Sequence, residues 1–191
     1  YRAAGCDVIV ALGGGSVIDC AKGISVVIAN GGDILDYEGV DAIPLPGPPL
    51  ICIPTTAGTA ADISQFAIIN AVSRRTKVAI ISKIVVPDVA LVDPQTTVTM
   101  SPSLTAFSGL DALTHAIEAY VSSASSPLSD VHALAAVRSV RANLRQAVAL
   151  PDDLQAREQM MLASLQAGMA FSNASLGATH AMAHSLGGYL D

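Results

Sequence analysis

The sequence changes its pattern between residues 93 and 101, and this change limits the possible folds more than any other feature. Before it, short β-branched and aliphatic runs alternate with turns, which is typical of a buried sheet with at least one crossover helix. After it, Ala and Leu recur at helical spacing, starting at Ser101 and Pro102, a common helix cap and first position. We therefore predict a partial α/β domain over residues 1–98 and a partial all-helical domain over residues 99–191.

The individual strands and helices follow from the same patterns. Strand candidates are short apolar runs over residues 7–12, 50–53, 63–69, 77–81 and 89–92. Helix candidates in the second half cover about residues 109–123, 127–147, 152–171 and 174–188. The first strand has apolar residues on both of its faces, so we expect it to be buried on both.

A glycine-rich turn follows the first predicted strand. Gly13, Gly14 and Gly15 precede Ser16, the predicted N-cap of a helix that ends at Asn30. Free backbone N–H groups and the helix dipole at such a turn bind phosphate, and glycines let the backbone approach the anion closely. The spacing differs from the G-x-G-x-x-G fingerprint of an ordinary Rossmann fold, so a purely structural tight turn stays an open alternative.

A second polar turn, from Pro54 to Thr59, follows the strand predicted at 50–53 and carries three hydroxyl groups. Ligands of open α/β sheets bind beyond the carboxyl ends of the strands, where both turns are expected to lie. Together the turns predict a nucleotide-binding domain. The alternative is that the threonines only satisfy backbone groups of the loop.

Three of the four histidines fall into two i,i+4 pairs within apolar helical stretches. Asp111 pairs with His115, and His180 pairs with His184, which places each pair on one face of its helix. Such polar groups would each cost roughly 1–3 kcal/mol if they were buried without a partner. A metal ion or a water-filled site would remove this cost. One carboxylate with imidazoles suits a divalent first-row ion, and iron(II) and zinc are both chemically reasonable.

Charge and hydropathy exclude two classes of partner. The formal net charge is −6, and only Arg74, Arg75 and Lys77 form a basic cluster, so we expect no binding of nucleic acid. The apolar runs break well before the roughly 20 residues that span a bilayer, so we expect no membrane association.

The cysteines and the termini indicate the cellular compartment of the protein and the extent of the chain. Three widely spaced cysteines without a CxxC pair predict buried, reduced thiols in a cytoplasmic protein: Cys6, Cys20 and Cys52. The chain starts without Met and stops at Leu190 and Asp191 without a closing cap, so we expect an internal piece of a longer protein.

Four segments, in this order, resemble the motifs of the iron-containing (group III) alcohol dehydrogenases, and the resemblance covers nearly the whole chain. The segments are residues 13–22 (GGGSVIDCAK), 54–59 (PTTAGT), 109–118 (GLDALTHAIE) and 180–188 (HAMAHSLGG). Four ordered motifs are far more specific than any one of them. The resemblance implies an enzyme that transfers a hydride between a small primary alcohol or aldehyde and NAD or NADP, in a cleft between the two domains.

The resemblance also implies roles for the residues of the helical half. Asp111, His115 and His180 would be ligands of Fe2+, or of Zn2+, and a further histidine beyond Asp191 would complete the set. His184 would face the nicotinamide ring and is expected to relay a proton or to position the ring. The ion would act as a Lewis acid on the substrate oxygen.

Residues of the first half would bind the cofactor in a protein of this family. Gly14, Gly15 and Ser16 would hold the pyrophosphate. The rest of the groove would be lined by Asp19, Thr55, Thr56, Thr59 and Lys77. We further expect a homo-oligomer.

Two acidic residues beside these motifs are expected to have structural roles. Asp62 stands where many members of the family have Glu, so its carboxylate is one methylene shorter. We expect this change to be tolerated if Asp62 only organises its loop. Glu118 lies three residues after His115. It could support that ligand, although helix packing or surface exposure is the expectation.

Two other functions stay open. A lyase of the dehydroquinate synthase type shares this architecture, but it would need basic residues converging on a sugar phosphate. The arginines of the helical half are instead predicted to form a solvated helix face: Arg138, Arg141, Arg145 and Arg157. The second alternative is a catalytically inactive, truncated module whose apolar helices serve assembly.

Overall fold

The computed structural model describes residues 1–190, so Asp191, the last residue of the predicted helical domain, lies outside the described residues. The strands are β1 (Ile9–Gly13), β2 (Gly39–Val40), β3 (Leu50–Pro54), β4 (Phe66–Ala71), β5 (Thr76–Ile81) and β6 (Val89–Ala90). The longer helices are α1 (Gly15–Asn30), α2 (Pro102–Val121), α3 (Pro127–Ala149), α4 (Leu154–Ala174) and α5 (Ala178–Leu190). A mixed α/β part followed by a helical part confirms the predicted fold class, whereas the boundary between residues 98 and 99 stays a prediction.

The strands form two small sheets rather than one. In the first sheet, of order β1-β3-β6, both pairings are parallel, and Gly13 of β1 lies opposite Pro54 of β3. The second sheet has the order β2-β5-β4, with β4 and β5 antiparallel across a short connection at residues 72–75. The parallel register of β1 and β3 brings the glycine turn and the threonine turn to the same edge of the first sheet.

The prediction that the first strand is buried on both faces was wrong. Ala11 of β1 is buried in a cluster with residues of α1 and β3. On the other face, Val10 is 58% exposed and Leu12 is 61% exposed. β1 is an edge strand, and no element of residues 1–190 covers this second face, so its apolar pattern alone could not reveal which face is packed.

The second half packs α2, α3 and α4 against one another through small side chains. Ala112 and Ala116 of α2, and Ala163 and Ala167 of α4, are fully buried in this core. Ser101, whose hydroxyl accepts a hydrogen bond from the backbone of α2, caps that helix, so α2 starts seven residues before the predicted 109. No helix within residues 1–190 is both long and apolar enough to cross a membrane.

One of the four arginines predicted to be solvated is buried. Arg138, Arg141 and Arg145 are exposed, but Arg157 of α4 is only 2% exposed. Its guanidinium donates hydrogen bonds to the Thr105 hydroxyl at 2.8 Å and to the carbonyl oxygen of residue 151 at 2.9 Å. These acceptors let the charge be buried, and they tie the start of α4 to the start of α2.

The cysteines also differ in part from the prediction. All three are free thiols, but only Cys52 on β3 is buried. Cys6 and Cys20 are exposed. Cys20 lies on the face of α1 that lines a cavity, so it is exposed although aliphatic residues lie near it in the sequence.

Candidate functional site

Helices α2 and α5 bring three of the predicted ligands to one point. Asp111, His115 and His180 each offer one ligand atom, and these atoms all lie within 4.8 Å of one another. Nε2 of His180 is 3.3 Å from Oδ1 of Asp111, and Nδ1 of His115 is 3.9 Å from Oδ2 of Asp111. The two imidazole rings stack with their centroids 4.2 Å apart. Asp111 and His115, which lie one turn apart on α2, are therefore next to His180 in the first turn of α5.

His115 is held in a fixed orientation by the elements around it. Its Nδ1–H donates a hydrogen bond to the Gly58 carbonyl oxygen at 3.2 Å, and its ring stacks on Phe171 of α4 with centroids 4.6 Å apart. A carbonyl oxygen can only accept, so the hydrogen sits on Nδ1 and the lone pair sits on Nε2. A Cβ atom at position 58 would lie 2.8 Å from the backbone oxygen of Ser108, so Gly58 is needed for this close approach to α2.

Electrostatics at the cluster suit a cation. Burial lowers the pKa of His115 to about 4, so its imidazole is neutral near pH 7. Burial opposes the charge of Asp111, but the hydrogen bond with His180 and the nearby histidines outweigh it and lower the pKa of that carboxyl. An ionised carboxylate with two imidazoles is a donor set that Fe2+ and Zn2+ both accept. The residues present therefore fit the predicted metal.

Glu118 was predicted to serve helix packing or to be exposed, and the structure corrects this. It is 8% exposed, and its Oε2 accepts a hydrogen bond from Nδ1–H of His180 at 2.5 Å. Burial opposes its charge, but the bond with His180 and backbone N–H groups lower the pKa of the Glu118 carboxyl to about 2. Glu118 follows Asp111 by seven residues and so shares its helix face, a spacing that could have revealed this contact.

The two predicted phosphate-binding turns lie against each other. Gly14 is the N-cap of α1, so the prediction that Ser16 is the cap was wrong, and Ser16 is an exposed residue of the first turn. A Cβ atom at Gly15 would lie 2.8 Å from the Thr59 hydroxyl oxygen, and one at Gly14 would lie 3.3 Å from a methyl carbon of Thr56. A side chain at Gly15 would therefore force Thr59 to move, and one at Gly14 would fit only tightly against Thr56.

A cavity of about 900 Å³ runs from the glycine turn to the histidine cluster. Five of the predicted cofactor residues line it: Gly15, Ser16, Asp19, Thr59 and Lys77. The three predicted ligands and His184 line its other end. Gly14, Thr55 and Thr56 lie at the same sheet edge but outside the lining, and the N–H of Thr55 is bonded to the Gly13 carbonyl oxygen at 3.0 Å. Their roles in cofactor binding stay predictions.

A buried lysine, whose role the sequence did not indicate, joins α1 to the loop after the threonine turn. Lys22 is fully buried, and its ammonium donates to the carbonyl oxygens of Ser64 at 2.8 Å and Phe66 at 2.7 Å. Burial lowers the pKa of Lys22 to about 8, against the opposing charges of Asp19 and Asp62. Asp62 is itself buried.

Asp19 makes the stability of the protein depend on pH. Burial, partly offset by Lys22, raises the pKa of its carboxyl from 3.8 to about 6. The folded protein then binds more protons than the unfolded chain between these values. The stabilisation from protonated Asp19 is fully present below about pH 4 and is lost as pH rises through about 6.

As pH rises from about 4 to about 6, loss of the Asp19 proton should lower the melting temperature of the wild type. Asn cannot lose a proton in this range, so we expect Asp19→Asn to lack this contribution to the fall. Thermal unfolding of the wild type and the variant over this pH range measures the difference in melting temperature. Asp7→Asn, at an exposed position, is the control and should follow the wild type. Identical pH profiles for wild type and Asp19→Asn would contradict the assignment.

Two family models match the chain one after the other. The model described as iron-containing alcohol dehydrogenase matches residues 1–94. The model described as the C-terminal part of the Fe-containing alcohol dehydrogenase family matches residues 105–191. Together they cover both halves of the molecule and the residues of the candidate site.

Individual proteins and solved structures are similar to this chain over nearly its whole length. Alcohol dehydrogenase 4 of Schizosaccharomyces pombe is 52% identical over 184 residues, which are 96% of this chain and 44% of that protein. A crystal structure of 1,3-propanediol oxidoreductase matches with a TM-score of 0.95 and 46% identity, over 98% of this chain and 49% of that one. A sulfoacetaldehyde reductase from Bifidobacterium kashiwanohense, solved in complex with NAD+, matches with a TM-score of 0.90 and 36% identity, over 94% of this chain and 48% of that one. The chain thus spans about half the length of the curated relatives it matches.

Proposed function

Because the chain belongs to the iron-containing alcohol dehydrogenase family, we propose that it carries the catalytic centre of an enzyme that transfers a hydride between a small primary alcohol or aldehyde and NAD or NADP. One observation supports this most strongly. A single cavity has a carboxylate and two imidazoles at one end and a glycine turn at a helix start at the other. Such a cavity can bring a nicotinamide ring and an alcohol together. The names of the relatives, which are alcohol and propanediol dehydrogenases, favour the same reaction.

The metal would be held by Asp111, His115 and His180, and Fe2+ and Zn2+ both suit these donors. When bound, such an ion supplies Lewis acidity that polarises an alcohol or aldehyde oxygen. Two side chains at this position, His115 and Phe171, are buried. The NAD+ complex of the relative supports a nicotinamide cofactor in the same cavity.

The cofactor's pyrophosphate would lie at the start of α1. Gly14 and Gly15 present backbone N–H groups there, and the helix dipole favours an anion. Ser16 and Thr59 add hydroxyl groups at this end of the cavity, and Asp19 and Lys77 add charged groups farther along it. Thr55 and Thr56 are proposed to support the turn from the adjacent strand end.

His184 is proposed to hold and release the proton of the alcohol. It lines the cavity, and its ring centroid is 6.1 Å from that of His180. Burial, followed by the positive charges of His180 and Lys77, lowers the pKa of His184 below its usual 6.5. A neutral imidazole near pH 7 can accept a proton, as a general base must.

His184→Ala is expected to reduce kcat by about 100-fold or more and to remove the limb of the pH–rate profile that His184 causes, while metal content stays at the wild-type level. Steady-state kinetics over pH, with metal analysis of the same samples, measures this. His132→Ala is the matched control, because His132 lies on α3 and does not line the cavity. Loss of the metal from His184→Ala would mean that His184 is a ligand instead.

The dehydroquinate synthase-like alternative is disfavoured by the charges of the cavity. Among the described residues that line it, Lys77 is the only lysine or arginine, whereas a sugar phosphate would call for several. Arg138, Arg141 and Arg145 are exposed on α3, and Arg157 is buried elsewhere.

A direct assay tests the proposed reaction. The purified protein, loaded with Fe2+ or Zn2+, is mixed with NAD or NADP and with ethanol, 1,2-propanediol or butanol, and cofactor reduction is followed by absorbance. Reduction that chelation abolishes is expected. No reduction with any combination would favour the inactive assembly module. A homo-oligomeric state and a cytoplasmic location stay predictions.

A further inference from the structure

The carboxylate of Glu118 on α2 connects two features of α5. Its Oε1 accepts a hydrogen bond from the backbone N–H of Thr179 at 2.7 Å. Its Oε2 accepts one from Nδ1–H of His180 at 2.5 Å. The side chain is buried, and it does not line the cavity, so none of the proposed binding or proton-transfer roles uses it.

The first contact anchors the start of α5. The first four N–H groups of a helix have no partner within the helix, and Thr179 carries one of them. A carboxylate at this end also interacts favourably with the helix dipole. Gly177 leaves room for it, because a Cβ atom there would lie 2.9 Å from Oε1 of Glu118. Glu118 therefore acts as the cap of α5, supplied from another helix.

The second contact determines which nitrogen of His180 faces the cluster. The carboxylates of Glu118 and Asp111 can only accept hydrogen bonds, and the bond to Glu118 is the shorter, at 2.5 Å against 3.3 Å. The hydrogen of the neutral imidazole therefore sits on Nδ1. Nε2 faces Asp111, whose Oδ1 accepts its hydrogen at 3.3 Å when the imidazole is protonated. Once that proton is lost, as metal binding requires, Nε2 has a lone pair at the cluster. A metal-binding histidine commonly donates its other N–H to a carboxylate in this way, which fixes the ring and its tautomer.

We propose that Glu118 is a positioning residue, which holds His180 in its metal-binding orientation and joins that ligand to the anchoring of α5 on α2. This inference builds on the metal site proposed above. Since one carboxylate makes both contacts, α5 cannot turn away from α2 without losing the orientation of His180.

Glu118→Gln tests the proposal with almost no change of volume. An amide has one oxygen acceptor and one nitrogen donor. With its oxygen on the Thr179 N–H, its NH2 group faces Nδ1 of His180 and moves the imidazole hydrogen to Nε2. The affinity for Zn2+, measured by titration of the metal-free protein, is expected to fall about 10- to 100-fold. Glu158→Gln, on an exposed position of α4, should bind like the wild type.

The tautomer of His180 gives a second readout that needs no metal. In 15N-resolved NMR spectra at alkaline pH, the metal-free wild type should have its hydrogen on Nδ1, and Glu118→Gln should have it on Nε2. A protein that binds no Zn2+ but shows this change would contradict the proposed metal site and support the role of Glu118. Equal Zn2+ affinity in wild type and Glu118→Gln, or an unchanged tautomer, would overturn the role of Glu118.

Glu118→Asp keeps the test decisive if Glu118→Gln does not fold. Aspartate keeps the charge but is one methylene shorter, so it cannot reach the Thr179 N–H and Nδ1 of His180 together. We expect circular dichroism like that of the wild type and an intermediate loss of Zn2+ affinity. Wild-type affinity in a folded Glu118→Asp would contradict the positioning role.

Discussion

His115→Ala is expected to remove both the bound metal ion and turnover. The variant deletes one of three donors whose ligand atoms lie within 4.8 Å of one another, and it leaves a carboxylate and a single imidazole. Loss of the ion removes several kcal/mol of stabilisation of the reacting oxygen, so kcat should fall by at least about 1,000-fold. Elemental analysis of the purified variant and steady-state kinetics with NAD or NADP measure the two effects.

Folding must be separated from metal binding, because His115 also packs between Phe171 and His180. His115→Phe is the matched variant for this purpose. It keeps an aromatic ring in the stack but offers no ligand, so it should remain folded by circular dichroism and still lack metal and activity. Wild-type metal content in either variant, or full activity after thorough chelation, would contradict the proposed chemistry.

Gly188→Ala is expected to displace α5 from β5 and to weaken the metal site at a distance. A Cβ atom at this position would lie 2.5 Å from the backbone nitrogen of Lys77 and 2.6 Å from Cα of Thr76. Backbone atoms cannot rotate away, so the helix that carries His180 and His184 must move. Overpacking typically costs about 1–3 kcal/mol, and with no rotamer to relieve the clash we expect the upper end, about 3 kcal/mol.

For a chain of this size, that loss corresponds to a melting temperature lower by roughly 6–12 °C. Metal affinity should fall in the same variant, and both quantities are measured on one preparation by thermal unfolding and Zn2+ titration. Gly187→Ala is the matched control for stability, because its Cβ would meet only the flexible end of the Lys77 side chain at 2.9 Å. Equal melting temperatures for the two variants would show that α5 does not pack closely on β5.

Local patterns in the sequence predicted the parts of the site that lie within single elements. The spacing of Asp111 and His115 places both on one face of α2, and in the structure Nδ1 of His115 lies 3.9 Å from Oδ2 of Asp111. The register of β1 and β3 likewise brings the two turns to one edge. Local spacing could not show that α5 meets α2 at His180, because that contact joins residues 69 positions apart. Only the family resemblance implied that His180 shares a metal ion with Asp111 and His115.

Errors arose where burial depends on distant partners. The sequence of β1 shows apolar residues on both faces, but it does not show that only one face is covered. Arg157 carries a charge that favours the surface, yet it is buried because the Thr105 hydroxyl and backbone carbonyls accept its hydrogen bonds. The burial of Glu118 was missed for the same reason, because its partners Thr179 and His180 lie on another helix.

The site itself can be located directly by anomalous X-ray diffraction from crystals of the metal-loaded protein. We predict one strong anomalous peak per chain, between the carboxylate of Asp111 and the imidazoles of His115 and His180, at the end of the cavity away from the glycine turn. A peak at another place, or no peak in crystals grown with excess Zn2+ or Fe2+, would contradict the claim that α2 and α5 together form a metal centre.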